Sequence, residues 1–175
     1  MARVALLLPL SALLVACGST KTVVHTVTVT RTTPATIASG DQRIYGRIRT
    51  VTRSPGGYEL GFDPAWFLSG VTANAAAAAD QGAQCEPTAC PAVPNDNLVV
   101  DESNRVYVYL LPADVRGTVL TSSPTGFHET PVTAAQLAQL VAGTSPLHLF
   151  EPLSSGVWLN VHIDTVRSFA QEYVP

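Results

Sequence analysis

The chain has 175 residues, of which 46% are hydrophobic and 13% charged, and its formal net charge is −3. The length fits one folded domain, and the apolar share excludes a disordered chain. The weak negative charge argues against a nucleic-acid binder, which needs a basic surface. The only lysine is Lys21. Phosphate-binding loops, Schiff bases and other lysine-dependent chemistry are therefore excluded from the folded part.

The first residues have the pattern of an export signal. Arg3 precedes an apolar run over residues 4–15. At about 1.5 Å per residue, this run is too short to cross roughly 30 Å of hydrocarbon as a helix. It matches the apolar region of a secretory signal peptide, and no later stretch reaches membrane-spanning length.

The end of this run carries a specific motif. Leu14-Val15-Ala16-Cys17, followed by Gly18 and Ser19, resembles the lipobox of bacterial lipoproteins. The resemblance implies that Cys17 receives a diacylglyceryl group and becomes the first residue of the mature protein. It also implies acyl chains of the palmitate type and a location on the extracytoplasmic face of the cell membrane. The alternative is an ordinary signal peptide with an incidental cysteine.

Three regions follow from this pattern: a signal peptide (1–16), a lipidated cysteine with a threonine-rich tether (17–40) and one extracytoplasmic domain (41–175). Residues 18–40 contain eight threonines and no aromatic residue, which is typical of a linker. Their Thr/Val alternation is also the pattern of a β-strand. The position of this segment between the lipid anchor and the domain favours the tether.

The first half of the domain predicts a hairpin and then helices. Strands are expected at residues 43–53 and 58–62, around the turn Ser54-Pro55-Gly56-Gly57. Asp63-Pro64 has the pattern of a helix start, with residues 65–68 as the first turns. An alanine-rich helix is predicted at residues 72–81, ending at Gly82. Residues 84–97 are predicted to form a loop.

The second half predicts more strands and one capped helix. Residues 98–100 and 105–111 are expected to pair as a second hairpin, and residues 115–121 to form another strand. Thr133 and Gln136 have the spacing of a capping box, which predicts a helix at residues 134–142. Further strands are predicted at 147–150 and 157–163, and at least one helical turn at 165–173.

This pattern indicates an α+β fold: a mainly antiparallel small β-barrel or sandwich with one or two inserted helices. Eleven side chains are expected in its core: Ile44, Leu60, Phe62, Val106, Val108, Leu110, Leu137, Leu140, Leu159, Val161 and Ile163. The segments FDPAWFLSG, PNDNLVVDESN and GVWLNVHIDTVRSFAQEYVP are similar to uncharacterised actinobacterial lipoproteins. That resemblance implies no activity.

Two segments suggest a disulfide and, less strongly, a cation site. Cys85 and Cys90 lie close together in an exported chain, which predicts a structural disulfide rather than a redox or metal pair. Residues 95–97 and 101–102 carry five oxygen-bearing side chains, which are ligands that calcium prefers. Their spacing does not match a calcium loop, so solvated turns are the favoured interpretation. The sequence predicts no metal and no cofactor.

The strand around Trp158 carries the candidate polar groups. Alternation places Leu159, Val161 and Ile163 on one side and Trp158, Asn160, His162 and Asp164 on the other. The second side has groups that a ligand site or a general base could use. Neither a Gly-x-Ser-x-Gly nor a His-Glu-x-x-His motif accompanies it.

Arginines and tyrosines suggest a binding strip. Arg47 and Arg49 share a face of the first strand with Arg53, and Tyr107 and Tyr109 share one with Arg105. Ordinary cross-strand packing would give the same pattern. The favoured hypothesis is a membrane-anchored envelope lipoprotein of unknown activity that is a non-enzymatic binding or structural module. Its expected partners are a cell-wall polymer or an envelope protein, and no nucleic acid. Its candidate ligand-binding residues are Arg47, Arg49, Tyr107, Tyr109, Trp158, His162 and Asp164. The alternative is an extracytoplasmic hydrolase with a site around His162 and Asp164.

Overall fold

A computed structural model describes residues 40–86 and 88–174. The signal peptide, Cys17 and all but the last residue of the tether therefore lie outside the described residues. Within the described part the chain forms eight strands, two α-helices and one 3₁₀ turn, Pro94–Asp96. The strands are β1 (Asp41–Ser54), β2 (Gly57–Ser69), β3 (Asn97–Val100), β4 (Tyr107–Pro112), β5 (Arg116–Ser123), β6 (Gly126–Thr133), β7 (Val157–His162) and β8 (Thr165–Gln171); the helices are α1 (Gly70–Asp80) and α2 (Ala134–Val141).

Five of these strands close into a barrel. Around it the order is β1, β2, β4, β8, β7 and back to β1, with every contact antiparallel except that between β4 and β8. This confirms the predicted α+β small barrel. A five-stranded Greek-key barrel is also the architecture of the OB-fold. Topology alone assigns no function.

The barrel interior holds the main hydrophobic core. Leu60, Phe62 and Leu159 are fully buried there. The capping box of α2 is present as predicted, with Thr133 and Gln136 bonded to each other's backbone. Leu137 of α2 is fully buried in the same core, while Leu140 and Ile44 pack at its edge.

The first hairpin is confirmed, but the helix predicted at Asp63-Pro64 is wrong. β2 continues through Ser69, and Asp63 pairs with Arg47 of β1. Pro64 lies opposite Gly46, where a Cβ on the glycine would come within 2.7 Å of the Pro64 Cα. Pairing along β1 overrides the local capping signal, and the helix begins only at Gly70.

The predicted second hairpin is also wrong, although both strands exist. β3 pairs with Trp66 to Ser69 of β2, and β4 pairs with the opposite end of the same strand. β2 has 13 residues and is long enough to accept both partners. Residues 147–150 form only an isolated bridge, from Leu149 to Thr121.

Two further strands correct the prediction. Residues 165–171 form β8, not a helical turn, because this segment pairs with β7 on one side and with β4 and β5 on the other. β6 has no counterpart among the predicted elements. It lies at the sheet edge and contains Pro131, which is tolerated there because an edge strand can lack one N–H donor.

The predicted core is correct for β7 and inverted for β4. Val161 is buried, whereas Val108 and Leu110 of β4, and Val106 just before it, are 40–63% exposed. Leu111 and the partly buried Tyr109 face the core instead. A shift of one residue moves every side chain of a strand to the other face. Ile163 lies in the turn after β7 and is 75% exposed.

Candidate functional site

The outer face of β7 carries a row of polar and aromatic side chains. Trp158, Asn160 and His162 alternate with the buried Val157, Leu159 and Val161, as the sequence predicts for this strand. Arg43 and Asp41 lie opposite Asn160 and His162 on β1. We call Asp41, Arg43, Trp158, Asn160 and His162 the polar strip.

Trp158 is held in a fixed orientation. Its ring lies 5.0 Å from that of Tyr45 and 5.7 Å from that of Phe67, measured between centroids. Its indole Nε1 donates a 2.8 Å hydrogen bond to Oε2 of Glu172. The guanidinium carbon of Arg43 lies 4.3 Å from the ring centroid, within cation–π distance. The guanidinium thus covers one face of the indole, and a flat ligand could stack on the guanidinium or take its place over the ring.

Tyr45 lies opposite Trp158 on β1 and packs against it. Its hydroxyl donates a 3.0 Å hydrogen bond to the carbonyl oxygen of Ser155. Burial, with a further contribution from the charge of Glu172, raises the pKa of Tyr45 to about 12. A Cβ on Gly156 would lie 1.8 Å from the Tyr45 hydroxyl oxygen, so glycine leaves the space for this bond.

The rest of the strip consists of hydrogen-bonded pairs. Nδ1 of His162 lies 2.6 Å from Oδ1 of Asp41, and Asn160 donates to Ser168 at 2.7 Å. Asp164 accepts a hydrogen bond from the hydroxyl of Thr165. The structure therefore pairs His162 with Asp41, across from it on β1, and not with Asp164. Sequence reasoning missed Asp41 because the two positions are 121 residues apart.

The two predicted arginines form ion pairs beyond the strip. Arg49 donates from Nε and Nη2 to Oδ2 of Asp63, which is 1% exposed, and Oδ1 of Asp63 has no hydrogen-bond partner among the described residues. Arg47 pairs with Asp101. Both cations thus face carboxylates of the chain itself, which reduces their attraction for an anionic ligand.

The predicted tyrosines do not share a face with the arginines. Tyr107 pairs in register with the inward-facing Phe62, whereas Arg47 pairs with Asp63 on the outside. Tyr109 packs edge-on against Phe62 with ring centroids 6.3 Å apart. Burial, with a smaller contribution from Tyr107, raises the pKa of Tyr109. The arginines and tyrosines therefore do not form one strip.

The loop after α1 contains the expected disulfide. Cys85 and Cys90 are bonded, with their Cα atoms 5.3 Å apart. In the segment considered for calcium, Asn97 donates to the backbone of Asn95, and Asp101 is the partner of Arg47. Among the residues that the structure describes, no group of three or more His, Cys, Asp or Glu side chains is placed to bind a metal.

Sequence reasoning missed two further surface features. A cleft of about 300 Å³ lies between the end of α2 and the segment that follows it, lined by Leu140, Gly143, Ser145, Leu147, His148 and Leu149. Phe127, Phe150 and Tyr173, from three distant segments, form a cluster of exposed rings. A sequence pattern could not reveal this cluster because only the folded chain brings the three rings together.

Comparison with protein-family models, curated proteins and solved structures finds no match to this chain. Over residues 40–86 and 88–174, no helix is long and apolar enough to cross a membrane.

Proposed function

We propose that the chain is a lipid-anchored, extracytoplasmic, non-enzymatic binding module. The lipobox supports attachment through Cys17, and the disulfide suits a protein that folds outside the cytoplasm. In this proposal the barrel is the binding domain, and the tether lets it reach away from the bilayer.

The anchor is tested by Cys17→Ala. Without this thiol the precursor has no site for the thioether, so labelling with a palmitate analogue should disappear, and the signal peptide should stay attached. Ser19→Ala is the matched control and should be labelled like the unchanged chain. Normal labelling of the Cys17→Ala chain would refute the anchor.

The proposed ligand is a carbohydrate segment of a cell-wall polymer, and the polar strip is its site. The observation that supports this site is the arrangement around Trp158: Arg43 lies over its ring, and Asn160 lies two residues away on the same face. A sugar ring that stacks on the indole would take the place of Arg43 over it, and the displaced guanidinium and the amide of Asn160 would bond to the sugar hydroxyls. A ligand of low net charge fits better than a polyanion, because a carboxylate lies at each end of the strip: Glu172 bonds to Trp158, and Asp41 pairs with His162.

Titration with soluble cell-wall glycan fragments tests this site. Binding should change the fluorescence of Trp158, and Arg43→Ala and Asn160→Ala should each weaken it. Trp66 is the other tryptophan and is present in every variant, so differences in the fluorescence change between variants report on the polar strip. Arg53→Ala is the control, since it removes an exposed arginine of β1 outside the strip. Equal affinity of all four proteins would reject the strip as the site.

The hydrolase alternative retains one supporting observation. His162 and Asp41 have the geometry of a general base and the carboxylate that orients it, which leaves Nε2 for a nucleophile. Among the described residues, no serine, threonine or cysteine is hydrogen-bonded to His162. Hydrolysis of ester or amide probes that is lost in Asp41→Asn and His162→Ala would favour this alternative over the binding module.

A further inference from the structure

An exposed aromatic cluster lies outside the polar strip. We call Phe127, Phe150 and Tyr173 the aromatic patch. The centroids of Phe127 and Phe150 are 5.0 Å apart, as are those of Phe127 and Tyr173, and the third pair is 5.9 Å apart. The three residues are 41%, 39% and 38% exposed. Adjoining exposed rings of this kind are typical of an interaction surface.

Backbone contacts hold the patch in place. Phe127 follows the turn between β5 and β6, and the amide of Phe150 donates a 2.8 Å hydrogen bond to the carbonyl of Leu120. The amide of Glu172, next to Tyr173, donates to Gly156. A surface that is already ordered needs little further ordering when a partner binds.

The charges near the patch are acidic. Glu129 is exposed and lies two residues from Phe127 on the same face of β6. Glu151 follows Phe150 in sequence, whereas Glu172, which precedes Tyr173, is already bonded to the indole of Trp158. No arginine or lysine lies within two sequence positions of any of the three rings. Oε2 of Glu151 is buried without a hydrogen-bond partner among the described residues. Aromatic faces beside carboxylates attract cations.

We infer that the aromatic patch binds a basic segment of a partner polypeptide, whose arginine or lysine side chains stack on the rings. Aromatic side chains bury about 150–250 Å² each, so three rings at these exposures offer roughly 200–300 Å². A stable dimer needs about 800 Å² per partner, which argues against a second copy held by this patch alone. The nearby carboxylates argue against an anionic polymer or an anionic lipid surface.

The test uses the full chain in phosphatidylcholine nanodiscs and a labelled peptide of alternating arginine and glycine. The same peptide with citrulline in place of arginine is the neutral probe. We expect binding of the arginine peptide only. Phe127→Ala combined with Phe150→Ala should weaken it about tenfold without changing the net charge. Glu129→Gln should also weaken it. Tyr107→Ala, which removes an aromatic residue of similar exposure elsewhere, should bind normally.

Hydroxyl-radical footprinting locates the contact. The peptide should protect Phe127, Phe150 and Tyr173 from oxidation and leave Tyr107 unchanged. Equal affinity of the double alanine variant would overturn the inference, as would protection elsewhere. Rings that are already protected without peptide would also overturn it, because the bilayer, a second copy or another segment of the chain would then cover them.

Discussion

The two halves of β1 present different outer surfaces. In the first half, Asp41 and Arg43 belong to the polar strip, and the His162–Asp41 pair is exposed at both side chains. In the second half, Arg49 meets Asp63, whose side chain is buried. A buried charge needs its partner, while an exposed one can exchange its partner for water. In the proposed function the first half binds ligand, whereas the second half supports the fold.

The largest expected effect is in the second half. Arg49→Ala leaves the carboxylate of Asp63 buried without a cation and should lower the free energy of unfolding by about 2–3 kcal/mol. This is less than the ~3–5 kcal/mol for a fully buried pair, because Arg49 is itself partly exposed. Urea denaturation measures it.

The control for Arg49 is the double variant Arg49→Ala with Asp63→Ala. Removing both partners leaves no uncompensated charge, so this variant should recover much of the lost stability. A double variant less stable than Arg49→Ala would mean that Asp63 supports the fold by some other contact, and the contrast between the two halves of β1 would fail.

The second largest effect on stability is expected at Tyr45, which packs against Trp158 of the polar strip. The pKa of Tyr45 is about 12 in the folded chain and 10.0 in the unfolded one. Below pH 10 the neutral hydroxyl is present in both states. Between pH 10 and 12 the unfolded chain loses this proton first, so the stability that Tyr45 contributes falls as the pH rises. Over two units the loss is about 2 kcal/mol.

Tyr45→Phe is the comparison for this titration. At pH 8 the unchanged chain should be more stable, because the phenylalanine variant lacks the bond to Ser155. Denaturation at several values between pH 8 and 12 should show this advantage shrinking. A constant difference across that interval would contradict a raised pKa at Tyr45.

The parts of the fold that the sequence predicts correctly are mostly those whose patterns involve residues close together in the chain. The capping box at Thr133 and the turn at Pro55-Gly56 depend on neighbours in sequence, and both are present. Asp63-Pro64 has an equally local signal, but pairing with β1 overrides it. β4 is ambiguous because apolar and aromatic residues occupy both of its faces, so alternation cannot say which side is inside.

The candidate site was predictable only along a single strand. Alternation orients Trp158, Asn160 and His162 on β7. Their partners Asp41, Arg43 and Glu172 come from other strands or from beyond the end of β8, and only closure of the barrel brings them together. The aromatic patch could not be predicted for the same reason, because its three rings come from distant segments of the chain.

A smaller effect is expected at the turn that adjoins the start of β1. Ile163 has a φ of 58° and donates its amide to the carbonyl of Gly40. A β-branched residue is strained in this left-handed region, which asparagine adopts more readily. Because the side chain is 75% exposed, Ile163→Asn loses little burial and should raise stability by about 1 kcal/mol. Ile163→Val keeps the strain and should show no gain in a thermal melt; a gain equal to that of asparagine would contradict this explanation.

The smallest effect is expected in the exposed half of β1. Asp41→Ala removes the partner of His162, whose side chain is 37% exposed and can bond to water instead. Exposed pairs contribute about 0.2–1 kcal/mol, so the free energy of unfolding should fall by no more than about 0.5 kcal/mol. Hydrogen exchange gives a second measure, because the Ile163 amide bonds to Gly40, next to Asp41, and should exchange only slightly faster. A loss as large as that of Arg49→Ala would show that this end of β1 is also structural. The polar strip would then be as structural as the second half of β1, and the aromatic patch would become the favoured binding surface.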